Sequence, residues 1–453
     1  MYPEISAAER FPLLTAAGRK LLHAMRQHPQ APIWNWPNGE QLNARGLARV
    51  RKFAAELSSP PTISQGSPPS WLPAFVDFCL EEVPFYRRRS APGTPLAAIP
   101  SSCREDLAPK VWDFVPDSQP LDELIVFSST GTTGHPAQTP SDPAMAACGI
   151  PLLELALAST GVGFPRGAEQ MALTNVAAYC GAYTTAIVVA YLEEAGCIRV
   201  NLSPEAWRQP GDCHAYLDRW WAAVMLGDPQ AFAALTSVGI KRPPQVMVSS
   251  IMRLSDALAG QLTAHFGCPV IDVYALTEAG IVAVKTPDGH AVLPHDLYLE
   301  ILDDNDVPCP PGVRGEIALT GGRNPFLPLL RYRTGDYASL GWRQGRPILI
   351  DLEGRQPVLF PVAGDRVVHS MEVTRLLRRF PLVQYQLHQD AEGGFRFRYR
   401  GGVAEDELRG ALRDLLGGRP SIVIEKLSPA ATPQHRKVSV YQSARRPTSS
   451  HSA

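Results

Sequence analysis

Apolar and polar positions alternate with two periods along this chain, and the change from one to the other divides it. At the N-terminal side, Ala7–Met25 and Leu42–Leu57 carry apolar residues at helical spacing. A Ser/Pro linker, Ser58 to Ser70, follows them. A third helix is expected over Trp71–Glu82, stopping before Val83-Pro84 because the residue ahead of proline disfavours α conformation. Leu124 to Phe127 reads as a strand, and Ala144 to Ala158 is apolar at helical spacing. Further on, Met171–Thr174, Cys197–Leu202, Val246–Ser249 and Val270–Val273 read as strands. Tyr183–Ala195, Ala215–Met225 and Leu254–Phe266 read as the helices between them, which predicts a layered α/β domain.

From Asp296 the texture changes. Tyr298–Leu302, Gly315–Thr320 and Pro347–Leu352 are short strands separated by Asp, Pro and Gly turns, the pattern of an antiparallel β subdomain. After Gly354-Arg355 the pattern changes again. Val373, Leu376, Leu377 and Phe380 mark one helix face, and Phe395 to Arg400 alternates as a half-buried strand. Leu408 to Leu416 makes a second helix, ended by Gly417-Gly418, and Ile422–Ile424 a further strand. The expected organisation is a helical N-terminal cap over 1–120, a core with a β subdomain over 121–354, a small α+β domain over 355–441 and a disordered tail over 442–453.

Composition narrows the function classes. The 453 residues are 45% hydrophobic and 19% charged with a formal charge of −1, so no basic excess argues for nucleic acid or an anionic membrane. Small-molecule partners are expected instead. The apolar window Val176–Leu192 is broken by Gly181 and reads as buried core, not a membrane span. Glu4, Glu9 and Arg10 precede any apolar run, which does not suit a secretory signal. The eight cysteines include no C-x-x-C pair, so free thiols and a cytoplasmic setting are the simplest reading.

Candidate chemistry lies in four segments. Ser128 to Gly134 crowds hydroxyl side chains with Gly131 and Gly134, a composition suited to cradling phosphate oxygens, although no Walker motif is present. Tyr274-Ala275-Leu276-Thr277-Glu278 offers a hydroxyl to a phosphate and a carboxylate to Mg²⁺, although Thr-Glu is also common at a helix start. In Arg331-Tyr332-Arg333-Thr334-Gly335-Asp336 an Asp after a Gly turn could accept from both ribose hydroxyls; the bland alternative is a hairpin turn with solvated arginines. Thr432 to Lys437 supplies a lysine able to reach a polarised phosphate. Trp34 and Trp36 read as packing residues.

In order and spacing these segments resemble the adenylate-forming acyl-CoA synthetase superfamily, most closely its phenylacetate-CoA ligase branch, from about Pro84 to Tyr441. Pro84-Phe85-Tyr86 and Arg104-Glu105-Asp106-Leu107 belong to the same likeness. The resemblance implies a large adenylation domain with a small mobile C-terminal domain. The implied chemistry is activation of a small aromatic carboxylic acid by ATP and Mg²⁺ as an acyl-adenylate, then transfer to coenzyme A. It implies ATP contacts from Ser129, Thr130, Gly131, Thr132, Thr133, Gly134, Tyr274, Asp336 and Arg355, with Thr277, Lys437 and the Mg²⁺ ligand Glu278 as catalytic groups. Tyr179, Tyr183 and Ala275 would line the acyl pocket, where aromatic walls suit flat acids. Core packing is the other reading of the two tyrosines. No basic side chain clearly marks a second substrate charge.

Several positions depart from the family pattern. Pro357 stands where the pivot is expected, and its fixed φ restricts rotation, although Gly364 keeps the glycine facing the CoA channel. His135 replaces a lysine, Ala275 a glycine, and Arg436 the glycine before Lys437. Transfer to an amine or a carrier-protein thiol therefore stands as an alternative to CoA. A non-catalytic nucleotide- or acyl-binding protein is the alternative of another class.

Overall fold

In the computed structural model the described residues are 5–37, 39–59, 65, 67–129, 137–354, 358–362, 366–417, 420–427 and 440–445. A two-stranded hairpin comes first, β1 (Ile125–Ser129) with β2 (Ala137–Ser141). The main sheet then collects β3 (Met171–Ala177), β4 (Thr185–Val189), β5 (Ala195–Asn201), β6 (Val224–Gly227), β7 (Val246–Ser249) and β8 (Val270–Leu276). It continues through β9 (Gly280–Thr286), β10 (Gly289–Val292), β11 (Leu297–Leu302), β12 (Arg314–Gly321), β13 (Leu329–Arg343) and β14 (Arg346–Gly354). The order is β11-β12-β13-β14-β10-β9-β8-β7-β6-β3-β5-β4. Strands β5, β3, β6, β7 and β8 pair in parallel, and β8 turns the sheet antiparallel through β9.

The parallel part is buried on both faces, which is why its strands are apolar almost without interruption. Side chains alternate at period two: Val246 and Val248 enter one core, and Met247 between them enters the other. The N-terminal helices divide between these faces. Leu21, Leu22 and Met25 of helix Ala16–Arg26 join the Met247 side, and Val50 of helix Ala44–Leu57 joins the other. Helix Leu72–Glu82 packs in a third core, with Tyr86, Phe114 and the antiparallel strands. The segment expected as one cap thus supplies layers to three cores.

Two helix assignments fail. Tyr183–Ala195 contains β4, followed by a short turn into β5; its β-branched run Thr184, Thr185, Ile187, Val188, Val189 suits a buried strand. Ala215–Met225 is half right, because helix Asp212–Arg219 stops there and β6 begins at Val224. Helix Pro229–Leu235, opened by the Asp228 cap, was not anticipated. Helix Asp256–Phe266 agrees with expectation, capped by the Ser255 hydroxyl and ended by Gly267 at φ 67°. All eight cysteines are free.

The C-terminal region has its own core, built from β15 (Leu359–Pro361), β16 (Val367–His369) and a sheet of β17 (Leu382–Gln389), β18 (Phe395–Gly401), β19 (Ile422–Lys426) and β20 (Tyr441–Ser443). Phe395, Phe397 and Tyr399 are buried on alternate positions, as the pattern predicts. Helix Glu405–Leu416 buries Leu408, Ala411, Leu412 and Leu416 and ends at Gly417, φ 92°. Regular structure runs past 441, since Ser443 pairs with Gln389.

This region docks on the main sheet's helices. Ser255 Oγ donates to Phe380 O at 3.0 Å, Gln230 Nε2 to Gln384 Oε1 at 3.1 Å, and Val383 enters the Met247-side core.

Candidate active site

In parallel α/β sheets, ligands bind beyond the carboxyl ends of the strands, where the order of connections reverses. Here the reversal is at β3, which has β5 on one side and β6 on the other. Strand register carries the candidate residues to that edge. Thr174, Met225, Met247 and Val270 form one row across β3, β6, β7 and β8. Tyr179 follows Thr174 by five positions, and Ala275 follows Val270 by five.

Strand β8 is longer than its sequence suggests, ending at Leu276 rather than Val273. Tyr274 and Ala275 therefore lie within it, with a bulge between them that re-aims the strand. Thr277 and Glu278 occupy the turn into β9, not a helix start. Gly280, at φ 68°, lets the chain reverse there. Thr277 is exposed and has no hydrogen bond among the described residues, while Glu278 is buried.

Strand β13 meets this turn from the other side. The Tyr274 hydroxyl donates to Asp336 Oδ2 at 2.8 Å, and the Tyr332 hydroxyl donates to Glu278 Oε1 at 3.2 Å. Two tyrosine–carboxylate pairs thus cross in opposite directions between β13 and the segment of β8 with its following turn. Burial pushes the Tyr274 phenol well above its ordinary range, and Asp336 adds to this. Tyr332 is driven up in the same way, by burial and then Glu278. Both phenols stay neutral donors, as their partners require.

The Gly-Asp turn is held at several points. Gly335 adopts φ 77° and its N–H donates to Glu316 Oε1 at 2.9 Å; the Asp336 N–H donates to Thr334 Oγ1 at 3.1 Å. Gly354 lies opposite Asp336 in β14, where an added Cβ would come within 3.2 Å of Asp336 Oδ1. The arginines of this segment are not solvated. Arg331 is 1% exposed and donates to the carbonyls of Ala97, Ile99 and Asp306. Arg333 holds Asp306, Glu316 and Ser101. Ser102 bridges to Tyr332, so the chain leading into Arg104 runs beside the same strand.

Hairpin β1–β2 is anchored below its tip. Asn324 Nδ2 donates to Pro140 O at 2.8 Å, and Asp142 pairs with Arg49 while capping the next helix. Ser129 and Ala137 are the last paired positions. Thr130, Gly131, Thr132, Thr133 and Gly134, and likewise Arg355, Pro357, Gly364 and Lys437, lie outside the described residues, as does the side chain of Ser129.

Tyr179 and Tyr183 follow β3 in one turn and share a cation. Arg199 of β5 places its guanidinium 3.9 Å from the centre of the Tyr183 ring, and its Nη2 donates to Tyr179 Oη at 3.3 Å. Trp36, half exposed, lies 6.0 Å from Tyr183 on its other contact. A clasp from the N-terminal segment fixes this turn: Thr184 N–H donates to Asn35 Oδ1 at 2.8 Å, and Asn35 Nδ2 to Ala182 O at 3.2 Å. Trp34 is a packing residue, against Tyr216, but Trp36 belongs to this rim. Tyr332 was detectable, since positions 332, 334 and 336 alternate onto one side of a strand. Arg199 gave no signal without the strand register.

Comparison with known proteins agrees with this geometry. The AMP-binding enzyme family matches residues 105–324. Phenylacetate-coenzyme A ligase of Escherichia coli K12 is 23% identical over 354 residues, 69% of this chain and 76% of that protein. The Pseudomonas putida phenylacetate-coenzyme A ligase is 26% identical over 188 residues, 38% of this chain and 41% of its own length. Among solved structures, 2-hydroxyisobutyryl-CoA ligase in complex with 2-HIB-AMP superposes with a TM-score of 0.63 at 16% identity, covering 85% of this chain and 91% of that one. Over residues 105–324 the chain is thus similar to the AMP-binding enzyme family, and its sequence likeness runs to phenylacetate-coenzyme A ligases.

Proposed function

We propose that the protein is an ATP- and Mg²⁺-dependent acid–CoA ligase acting on a small aromatic carboxylic acid. The observation that carries this reading is the pair of crossed tyrosine–carboxylate contacts, which tie the Glu278 and Asp336 motifs together across β8 and β13.

In the first half-reaction a carboxylate oxygen of the acid attacks the α-phosphorus of ATP, and pyrophosphate leaves with the electron pair of the broken P–O bond. Asp336 accepts from the ribose hydroxyls beside Tyr274. The Thr277 hydroxyl and the Ser129–Gly134 segment donate to phosphate oxygens, and the Lys437 ammonium and Arg355 offset developing charge. Glu278 suits a hard cation: among the described residues Tyr332 engages one of its oxygens, and Mg²⁺ is commonly held by one carboxylate plus substrate phosphates. When bound, Mg²⁺ supplies charge neutralisation on those phosphates.

In the second half-reaction the CoA thiolate attacks the acyl carbon and AMP leaves, with Pro357 at the pivot of the small domain and Gly364 at the CoA channel. Pro357 also favours a second reading, transfer to an amine or a carrier-protein thiol, because it restricts rotation.

The test is acid-dependent pyrophosphate release over a panel of aryl and short aliphatic acids, with and without CoA. Release followed by a CoA thioester in the mass spectrum supports the ligase. Release that stalls at enzyme-bound acyl-adenylate favours the second reading, and no release with any acid overturns both.

A further inference from the structure

The buried arginines of this protein are spent on structure, and their contacts show what spending looks like. Arg323 is 8% exposed and donates to the carbonyls of His295, Ala279, Ile281 and Leu293. Arg331 uses three carbonyls and lies 3.4 Å from Glu300. Arg199 differs. Among the described residues, one of the five N–H donors of its guanidinium is engaged, by Tyr179 Oη at 3.3 Å. It forms no ion pair among the described residues, and its Nε is enclosed without a partner. Its charge is felt by Asp228, whose Oδ1 is occupied in capping helix Pro229–Leu235 through the Ala231 N–H at 2.8 Å.

Its placement also matters. Arg199 precedes the carboxyl end of β5 by two residues, at the edge where β3 gives way to Tyr179. Strands β8 and β3 are three spacings apart, about 14 Å at roughly 4.8 Å each. An acid lying between Ala275 and Tyr179 would have its activated carboxylate toward β8 and its remote end toward the Arg199–Tyr183 pair. The ring stack holds the guanidinium plane in place, which lowers the entropy lost when its free N–H groups take an anion.

We propose that Arg199 is a specificity-determining residue, and that the acid carries a second anionic group, a carboxylate, at the end remote from the one activated. This rests on the reading of Tyr179, Tyr183 and Ala275 as the acyl site. A charge-assisted contact of this kind discriminates by about tenfold to a hundredfold in kcat/KM.

The experiment measures pyrophosphate release with two matched pairs, phenylacetate against 4-carboxyphenylacetate and hexanoate against adipate. The expected result is a preference of the wild type for the dicarboxylate in at least one pair, about tenfold or more. Arg199→Met should bring that ratio toward one, and Arg199→Lys should keep part of it. The wild-type ratio needs no variant, so it decides the matter even if both variants fail to fold. Equal use of both members, preference for the monocarboxylates, or an Arg199→Met variant that lowers both members by the same factor overturns the assignment while leaving the ligase reading intact. Absence of release with every acid, these four included, overturns the ligase reading and the assignment together.

Discussion

The Tyr274 hydroxyl and Asp336 Oδ2 lie 2.8 Å apart across 62 residues of sequence, joining the last parallel strand to the antiparallel half of the sheet. This hydrogen bond aims the Asp336 carboxylate and leaves its second oxygen beside Gly354, where there is no Cβ to crowd it. Asp336→Ala should raise the KM for ATP by about ten- to a hundredfold, the range for losing hydrogen bonds to a charged acceptor. Tyr274→Phe should give a smaller rise, because the carboxylate remains but loses its orientation. Steady-state pyrophosphate release against ATP concentration checks both; an unchanged KM in Asp336→Ala removes it from the ribose site.

The second crossed pair makes a different prediction. Glu278→Gln keeps the size of the side chain and the acceptor for Tyr332 but loses the charge that the proposed Mg²⁺ site requires. Its Mg²⁺ dependence should move to concentrations about tenfold higher or more. Tyr332→Phe, which leaves the charge and removes one donor, should shift it less. Titration of Mg²⁺ at saturating ATP distinguishes them, and coincident curves for wild type and Glu278→Gln would mean that the cation is held elsewhere.

Arg331 bears on stability. It is enclosed by three carbonyls and Glu300, so truncation leaves those acceptors and a buried carboxyl group without their cation. Arg331→Met should cost about 3–5 kcal/mol, the range for breaking a buried pair on one side. Denaturant unfolding of both proteins measures it, and a loss below about 1 kcal/mol would mean that the pocket relaxes around water.

The motifs were legible because their residue types and order are local properties. Helix Asp256–Phe266 and strand Val246–Ser249 were legible too, each with clear ends. Tyr183–Ala195 was not, because a short apolar run has no periodicity that separates a buried strand from a buried helix; its β-branched content was the better guide. The Arg331 enclosure and the Arg199–Tyr183 stack were illegible for a further reason. Each depends on which strands become neighbours, and β3 touches both β5 and β6 only after the crossovers are made.

Glu40 gives the protein a pH dependence away from the crossed pairs. It is partly buried beside Phe11, Leu42 and Val188, and the loss of solvent there raises its pKa from the ordinary 4.5 to about 7; the Ala190 N–H bond partly opposes this, and Glu194 adds to it. The folded state therefore binds the proton more tightly than the unfolded chain. Stability from this group is full below pH 4.5 and falls as pH rises toward 7, by roughly 3 kcal/mol in all at 1.36 kcal/mol per pKa unit. Urea midpoints from pH 5 to pH 8 should decline more in the wild type than in Glu40→Gln. Parallel profiles would mean that Glu40 ionises as freely when folded as when unfolded.

Docking of the small domain rests more on Glu353 than on the charges around it. Glu353 is 7% exposed, and Thr374 Oγ1 donates to it at 2.7 Å while lying 2.6 Å from the Tyr441 hydroxyl. The neighbouring Asp351–Arg375 pair is more exposed, with Arg375 at 54%, and such pairs contribute little. Thr374→Val takes a donor from a buried carboxylate, at a cost of about 1–3 kcal/mol. Tyr441 lies four residues after Lys437 in the sequence, so in the proposed function loosening this contact would impair delivery of that lysine. Single-turnover adenylate formation should then fall about tenfold in Thr374→Val, with ATP binding by equilibrium titration nearly unchanged. Asp351→Asn should lower it less. An equal fall in ATP affinity and adenylation would instead place Thr374 in support of the nucleotide site, and the docking role would be lost.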